Sequence, residues 1–432
     1  MVPKEGDFVR ITCKDETVEG VLLPSKEDFV TIKLSSGYNL GMDRSRIVKM
    51  ELLSPRVPKP VAKRELKKHS NLPVISVLQA GGTIASKVDY ETGAAIARFS
   101  AEDLFELYPE LVDIATIRSR LCGVNTTWSQ DMRFSHYNLF AAEIKKEIEE
   151  GADGIIFTMG TDFIHYTAAA FSFMFESLPV PILIVGAQRS SDRGSSDAAI
   201  NLLNAVYFMT HSDFAEVGVC MHADMSDDKC WILPGTKCRK LHTSRRDAFR
   251  PVNADPWAFV DYVEKKINFV GRDYRKREKR PIVFKPFKES IKVGLIKTHI
   301  NMFAEEFSFY KDYDGLVIEA SGMGCLPITE RDELTKESGK IAKAISELIK
   351  KGVVVAEAPQ TIFGRINMNV YDDQRAARQM GVLGHLCDMT PETAFIKLAW
   401  LLSNYSKKEA QKLFEQNLRG EISDRTNEVF LV

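Results

Sequence analysis

The sequence lacks the features that identify several large classes of protein. Its first residues, MVPKEGDFVRITC, carry no apolar leader, and no run approaches the roughly 20 apolar residues that cross a bilayer. It also lacks a strong excess of either charge: the formal net charge is -1, with 27% charged and 44% hydrophobic residues. These properties predict a globular chain in the cytoplasm, in which any basic partner site is confined to a local patch.

Cysteine pairs and metal-ligand spacings are also missing. The seven cysteines are scattered and odd in number, and they never form a C-x-x-C pair, which argues against a disulfide framework and a zinc knuckle. Four histidines that could bind a metal show no ligand spacing: His165, His222, His242 and His299. The sequence therefore predicts no metal site.

Three familiar catalytic and nucleotide-binding motifs are absent. No G-x-x-x-x-G-K-[ST] pattern occurs, and no G-x-G-x-x-G opens a helix in the central region, which disfavours a nucleotide site. G-x-S-x-G is missing as well, which argues against the usual serine hydrolase.

What is present first is a small β unit at residues 1–53. Short β-branched and aromatic runs alternate there with turn clusters such as 14–16 and 35–37. About 45 residues of this kind close only a small barrel or meander with a modest core. A support or recruitment module is favoured over a catalytic one. The prolines and basic residues of 54–71 then predict a linker, interpreted as a solvated tether in preference to a phosphate-binding arm.

Beyond the linker the pattern changes to strand, turn and helix. Unalternating apolar runs, for example at 74–78 and 154–157, are typical of strands buried on both faces, as in a parallel sheet. A helical stretch occupies 134–150, and a later helix begins with Thr390 as N-cap and Pro391 at the first helical position. A chain of 432 residues arranged in this way predicts α/β layers in two or three domains.

Glycine and hydroxyl residues follow the apolar runs, at the strand ends where α/β proteins collect ligands. Gly81-Gly82-Thr83 follows the first run, and Gly160-Thr161-Asp162 follows the next. Glycines allow a sharp turn and a close approach of the backbone to a ligand. One such turn is weak as a signal, but two at equivalent sheet ends, one with an adjacent carboxylate, indicate a shared site.

These motifs resemble those of the bacterial-type L-asparaginases. Gly81-Gly82-Thr83-Ile84-Ala85 is similar to the first signature of that family, and Gly160-Thr161-Asp162 is similar to the second. Further matches follow in the right order over roughly 72–418: Ser129-Gln130-Asp131-Met132, Gly186-Ala187-Gln188-Arg189 with Asp197 and Asn201, Lys240 before Asp247-Ala248-Phe249, Gly364-Arg365-Ile366-Asn367, and Gly381-Val382.

The resemblance implies an α/β fold with an asparaginase-like two-domain parallel-sheet core. Its large catalytic domain would span 72–275 and its small C-terminal domain 285–432. By the same resemblance, Thr83 is the nucleophile, while Thr161, Asp162 and Lys240 form a proton relay. The resemblance also implies that Tyr90 lies on a lid. Ser129, Gln130 and Asp162 would bind the substrate's α-amino and α-carboxylate groups.

Two residues depart from the family pattern. The usual run is H-G-T-D-T, whereas here Met159 replaces the histidine and Phe163 replaces the second threonine. Neither position belongs to the implied relay. Phe163 follows the carboxylate of Asp162, however, so the choice between glutamine and asparagine stays open, because pocket shape decides it by only ~1–3 kcal/mol.

The N-terminal β unit is foreign to ordinary asparaginases. Together with 86–93 and 188–193 it resembles the D-subunit family of archaeal glutamyl-tRNA(Gln) amidotransferases, in which an asparaginase-like core follows a small SH3-like barrel. That resemblance implies a glutaminase that passes ammonia to the E subunit of the same enzyme, which binds the mischarged tRNA(Gln) and holds ATP and Mg²⁺, with no cofactor in this chain. It also implies a homodimer through the asparaginase-like core.

Two other functions remain open from the sequence. One is a free-standing cytoplasmic L-asparaginase, and the other is a non-catalytic tRNA-binding subunit that uses the small barrel and the basic linker. The first predicts ammonia release that is indifferent to a partner and to glutamyl-tRNA. The second predicts tight, strongly salt-dependent tRNA binding and no hydrolysis.

Overall fold

The computed structural model describes residues 3–23, 25, 28–35, 39–55, 72–81, 86–88, 95–97, 109–122, 128–189, 195–270 and 273–426. Most of the predicted linker lies outside these ranges, as do Thr83 and Tyr90. Within the described ranges, no helix combines the length and the apolarity that crossing a bilayer requires.

The N-terminal unit is a five-stranded antiparallel sheet in the order β4-β3-β2-β1-β5. Its strands are β1 (Phe8–Cys13), β2 (Thr17–Leu23), β3 (Phe29–Lys33), β4 (Asn39–Asp43) and β5 (Ile47–Ser54). Alternate residues point to one face, where Val9, Ile11, Val30 and Ile32 are at most 2% exposed. This small separate core agrees with the predicted all-β module.

The large domain is built on an eight-stranded sheet in the order β18-β17-β14-β13-β12-β10-β6-β9. The strands of this part of the chain are β6 (Val74–Gln79), β7 (Ser86–Val88), β8 (Ala95–Ala97), β9 (Thr116–Leu121), β10 (Gly154–Thr158), β11 (Phe175–Ser177), β12 (Ile182–Val185), β13 (Val217–His222), β14 (Lys229–Pro234), β15 (Cys238–Lys240), β16 (Phe249–Pro251), β17 (Ala258–Asp261) and β18 (Lys266–Phe269). Helices α1 (Phe134–Glu149), α2 (Ile164–Met174) and α3 (Ala198–Thr210) accompany them. The helix predicted at 134–150 is thereby confirmed.

The direction of the strands differs from the expected purely parallel arrangement in one part of this sheet. Strands β9, β6, β10, β12 and β13 are parallel, whereas β14, β17 and β18 pair antiparallel. The physical reason is the length of the connections. A parallel neighbour needs a crossover of about a dozen residues or more, and the turn between β13 and β14 is too short for one.

The small domain carries a three-stranded parallel sheet in the order β20-β21-β22. Its strands are β20 (Val293–Lys297), β21 (Gly315–Ala320) and β22 (Val354–Pro359), preceded by β19 (Val283–Phe284), which pairs with β11 of the large domain. The helices are α4 (Ala304–Ser308), α5 (Lys336–Lys350), α6 (Asp372–Met380), α7 (Pro391–Asn404) and α8 (Lys407–Phe414). The predicted start of α7 is confirmed, because the Thr390 side chain accepts a hydrogen bond from the Thr393 amide and Pro391 opens the helix.

The two domains share one hydrophobic core. Helix α2 of the large domain packs against α7 of the small domain, and the rings of Phe173 and Trp400 lie 5.8 Å apart. The indole N–H of Trp400 donates to the carbonyl of Lys285 at 3.2 Å. This packing holds the first turn of α7 against the carboxyl end of the large sheet, where the predicted site lies.

Candidate active site

The site begins where β10 ends. The chain leaves this strand through Gly160 and enters a single 3-10 turn, Thr161–Phe163, directly before α2. Thr161 is 9% exposed, while the Asp162 side chain is 65% exposed. The hydroxyl of Thr161 therefore lies inside the protein, whereas the adjacent carboxylate of Asp162 faces solvent.

Lys240 joins these two residues into one hydrogen-bonded group. Its Nζ donates to Thr161 Oγ1 at 2.9 Å and to Asp162 Oδ1 at 2.8 Å. Lys240 is the last residue of the short strand β15. This strand pairs antiparallel with β16, and Lys240 lies opposite Phe249. Its side chain is only 9% exposed, so the ammonium group is aimed at the threonine. The structure thus brings together three of the residues that the sequence predicted as a relay.

A third loop closes around Thr161 from the end of β12. A Cβ atom at Gly186 would lie 2.8 Å from Thr161 Cγ2, so only glycine allows this approach. Two residues later, the side-chain carboxamide oxygen of Gln188 accepts a long hydrogen bond, 3.4 Å, from the Thr161 hydroxyl. The Thr161 oxygen therefore lies between an ammonium donor and a carboxamide acceptor.

Asp197 and Asn201 support this loop from behind. The buried Asp197 carboxylate accepts from the backbone amides of Gln188 and Arg189, each at 3.0 Å. Asn201 donates to the carbonyl of Gly186 at 2.9 Å and contacts His222 Nδ1 at 2.6 Å. The G-A-x-R…D…N stretch is consequently a scaffold that fixes the position of Gln188.

Ser129 approaches the same turn from the other side. It is 3% exposed, and a Cβ atom at Gly160 would lie 3.0 Å from its hydroxyl oxygen. Gln130 beside it is exposed. Both residues line an interdomain cleft of about 570 Å³, which Phe163 also lines and which Val293 and Phe395 close from the small domain. The ring of Phe163 thus forms part of the wall of this cleft, whose lining does not include Thr161, Asp162 or Lys240.

A buried histidine and an ion pair lie behind the relay. Burial, together with the positive charges of Arg239 and Lys240, lowers the pKa of His165 to about 3, so its imidazole is neutral at ordinary pH. Arg239 Nη2 contacts Glu392 Oε1 at 2.8 Å, and Glu392 is 6% exposed. Burial, with Glu392 next, also raises the pKa of the Tyr166 phenol. This layer contributes charge and packing behind the relay.

Two predicted catalytic residues lie outside the described ranges. The described residues before Thr83 end at Gly81, two positions earlier. Tyr90 lies in the sequence between β7 and β8. The strand that leads to Thr83 is placed: β6 runs parallel to β10, with Gln79 paired to Thr158, and the Ala80 amide donates to the Thr158 carbonyl at 2.9 Å. The strands that precede Thr83 and Thr161 in the sequence are therefore parallel neighbours that end at the same edge of the sheet.

This arrangement suits proton transfer to and from a hydroxyl beside a polar opening. An alcohol with an amine at hydrogen-bond distance, and a carboxylate that holds that amine, is the geometry that general acid–base catalysis requires. The fold and this relay together define an asparaginase-like amidohydrolase.

Comparisons with known proteins agree with that class and narrow it. Family models described as "Asparaginase, N-terminal", "Glutaminase/Asparaginase C-terminal domain" and "GatD N-terminal domain" match residues 74–273, 292–414 and 4–53. Two D subunits of glutamyl-tRNA(Gln) amidotransferases are similar to the chain. The one from Methanococcus maripaludis is 42% identical over 98% of this chain and 99% of its own length, and the one from Pyrococcus furiosus is 41% identical over 98% and 95%. The chain belongs to the D-subunit family of glutamyl-tRNA(Gln) amidotransferases.

Solved structures support the fold of the core. The thermostable L-asparaginase from Thermococcus kodakarensis is similar with a TM-score of 0.70 and 27% identity, covering 82% of this chain and 100% of its own. L-asparaginase I from Vibrio cholerae shares the fold with a TM-score of 0.69, at 24% identity, over 82% of this chain and 99% of its own.

Reasoning from the sequence assigned no role to three residues of the site. Gln188 lies in a quoted motif, so its position next to the threonine turn was a usable signal. The sequence gave no signal for Arg239 or Glu392. Arg239 lies in a run of charged residues next to the predicted catalytic lysine, and such runs are usually solvated. Its partner Glu392 belongs to the other domain.

Proposed function

We propose that this chain is the glutamine-hydrolysing subunit of a tRNA-dependent amidotransferase that converts Glu-tRNA(Gln) to Gln-tRNA(Gln). The observation that carries the proposal is the contact of Lys240 Nζ with both Thr161 Oγ1 and Asp162 Oδ1, in a chain that matches D-subunit relatives over 98% of its length. We assign the reaction to the cytoplasm, where tRNA serves protein synthesis. Asparagine is the competing ammonia donor.

In the proposed mechanism, the Thr83 hydroxyl attacks the side-chain amide carbon of glutamine. Its proton passes to the relay of Thr161, Lys240 and Asp162, and the relay returns a proton to the nitrogen as the C–N bond breaks and ammonia leaves. Water then hydrolyses the ester on Thr83, releasing glutamate and restoring the hydroxyl. The proposal is supported by the parallel pairing of β6 and β10, the strands that precede the two threonines in the sequence.

The substrate groups are assigned to the residues around the opening. Ser129, Gln130 and Asp162 would bind the α-amino and α-carboxylate groups, and Tyr90 would cover the site from a lid. Ser129 lies against the threonine turn and the Asp162 carboxylate is exposed beside it, which supports this division. Backbone amides of the glycine turns would stabilise the oxyanion, a contribution of roughly 3 kcal/mol for one donor.

The partner is assigned as the E subunit of the amidotransferase, which would bind tRNA(Gln) and carry ATP and Mg²⁺. Within the described part of the N-terminal sheet, cations pair with nearby carboxylates: Arg10 with Glu19, Arg46 with Asp15, and Lys49 with Glu51. In these three pairs the carboxylates offset the positive charge that binding to a phosphate backbone would use.

A homodimer through the asparaginase-like core is also part of the proposal. Large apolar side chains follow the carboxyl ends of β20 and β21, where Ile300 is 93%, Phe303 50% and Met323 40% exposed. Exposed apolar groups that lie close together mark interfaces.

The test is ammonia release from glutamine and from asparagine, with and without the partner subunit and Glu-tRNA(Gln). We expect glutamine hydrolysis that rises when both are added, and its abolition in Thr83→Ala. Equal rates on asparagine without the partner would identify a free-standing asparaginase. Ammonia release by Thr83→Ala at the wild-type rate would remove Thr83 from the mechanism.

A further inference from the structure

The strand that carries Lys240 is held by the other domain. Three contacts connect residues 236–239 to the start of α7: Thr393 Oγ1 to the carbonyl of Thr236 at 3.0 Å, Lys237 Nζ to Asp388 Oδ1 at 2.7 Å, and Arg239 Nη2 to Glu392 Oε1 at 2.8 Å. Strand β15 is only three residues long and pairs with β16 alone, so its own sheet constrains it weakly. Backbone hydrogen bonds from Leu241 to Ala248 and from Val252 to Lys237 extend this pairing, and the contacts with α7 add to it in fixing the position of Lys240.

Glu392 differs from the other two anchors because it acts on the residue next to the lysine. It lies in the first turn of α7, where the helix dipole favours a carboxylate. It is 6% exposed, whereas the Arg239 side chain is 26% exposed. Arg239 thus reaches from the catalytic strand to an acid that the small domain supplies.

The charges around Arg239 leave Glu392 as its main counter-charge. Five further groups surround this pair: Glu319, Asp162, His165, Tyr166 and Lys240. His165 is neutral, because burial lowers its pKa to about 3. Burial raises the pKa of Glu319, and the neighbouring Lys297 lies 3.9 Å from its carboxylate. The Asp162 carboxylate is held by Lys240 at 2.8 Å, so without Glu392 the Arg239 guanidinium would lose the carboxylate that it contacts at 2.8 Å.

We propose that Glu392 is a positioning residue for the reaction: acting through Arg239, it fixes Lys240 in the relay and balances the charge beside it. The inference rests on the proposed glutaminase function and deepens it. Catalytic groups displaced by about 1 Å lose roughly 100-fold in rate, so an anchor two side chains away from the chemistry is sufficient to control it. The reaction would then depend on the small domain of the same chain.

The experiment compares Glu392→Gln, Arg239→Gln and the double variant in the assembled enzyme, with kcat, KM and the pH profile of glutamine hydrolysis as readouts. In Glu392→Gln we expect kcat to fall roughly 10- to 100-fold with KM changed less than about twofold. Its acid limb should move to lower pH, because the free guanidinium charge favours deprotonation nearby. Arg239→Gln should move the acid limb to higher pH, because the negative charge of Glu392 has then lost its guanidinium partner and favours protonation nearby. The double variant should return the limb near the wild-type position.

Opposite shifts from the two ends of one ion pair separate a role in the relay from general loss of structure. Glu176→Gln is the matched control: it removes a carboxylate of β11 that pairs with Lys285 at 3.0 Å and lies 3.9 Å from Arg419, and it should leave the pH profile unchanged. If Glu392→Gln fails to fold, Arg239→Gln tests the pair from its more exposed end. Wild-type kcat and an unmoved limb in these variants would overturn the inference. A wild-type enzyme that releases no ammonia would instead overturn the proposed function.

Discussion

Removal of the Thr161 hydroxyl tests the relay with little disturbance of the fold. Thr161→Val keeps the branched shape, including the methyl group that packs beside Gly186, and deletes only the oxygen. Lys240 would lose its 2.9 Å contact but keep the 2.8 Å contact with Asp162, so no buried charge is left alone. The expected cost in the free energy of unfolding is that of one hydrogen bond, about 1 kcal/mol.

The expected effect on the rate is much larger. Positioned proton transfer contributes roughly 10²–10⁴-fold, equivalent to about 3–5 kcal/mol in the activation free energy. In the assembled enzyme, the initial rate of ammonia release from glutamine should therefore fall by this factor in Thr161→Val. Urea unfolding of the same preparation should show a midpoint close to that of the wild type.

Thr161→Ser supplies the matched control. It keeps the hydroxyl and loses one methyl group, which costs about 0.8 kcal/mol of burial, and its rate should stay within about tenfold of the wild type. A folded Thr161→Val variant with more than a tenth of wild-type activity would refute the reasoning, because the Thr161 hydroxyl would then carry no proton.

Three further predictions concern stability and specificity. His165 binds a proton in the unfolded chain below about pH 6.5, but in the folded chain only near pH 3. Its contribution to the free energy of unfolding is therefore complete above about pH 6.5 and falls as the pH decreases, by up to about 1.4 kcal/mol per pH unit. His165→Asn should flatten this pH dependence in a series of urea-unfolding measurements. Lys237→Met leaves the buried Asp388 carboxylate without its ammonium partner and should lower the free energy of unfolding by about 3–5 kcal/mol, whereas Lys49→Met at an exposed pair should change it by less than about 1 kcal/mol. Phe163→Thr removes an aromatic ring from the wall of the cleft. The ratio of kcat/KM for glutamine to kcat/KM for asparagine should then come roughly tenfold closer to one. An unchanged ratio would show that this wall does not select between the two substrates.

The sequence by itself determined the kinds of element and the position of the turn at Gly160-Thr161-Asp162. Apolar runs such as 154–157 identify buried strands because burial on both faces requires an uninterrupted run, and the strand Gly154–Thr158 follows that rule. The start of α7 at Thr390 and Pro391 was also readable, because capping depends on residues that are adjacent in the chain. Local chemistry was likewise sufficient to indicate the turn that follows Gly160.

The tertiary structure alone decided which of these pieces meet. The resemblance implied Lys240 as a member of the relay, but only the packing of β15 brings its ammonium group to 2.9 Å from Thr161. The ion pair of Arg239 with Glu392 and the cleft beside Phe163 arise in the same way, from α7 packing on α2 across the domain junction. Contacts between residues far apart in the chain depend on the whole hydrophobic core, so no local pattern can specify them.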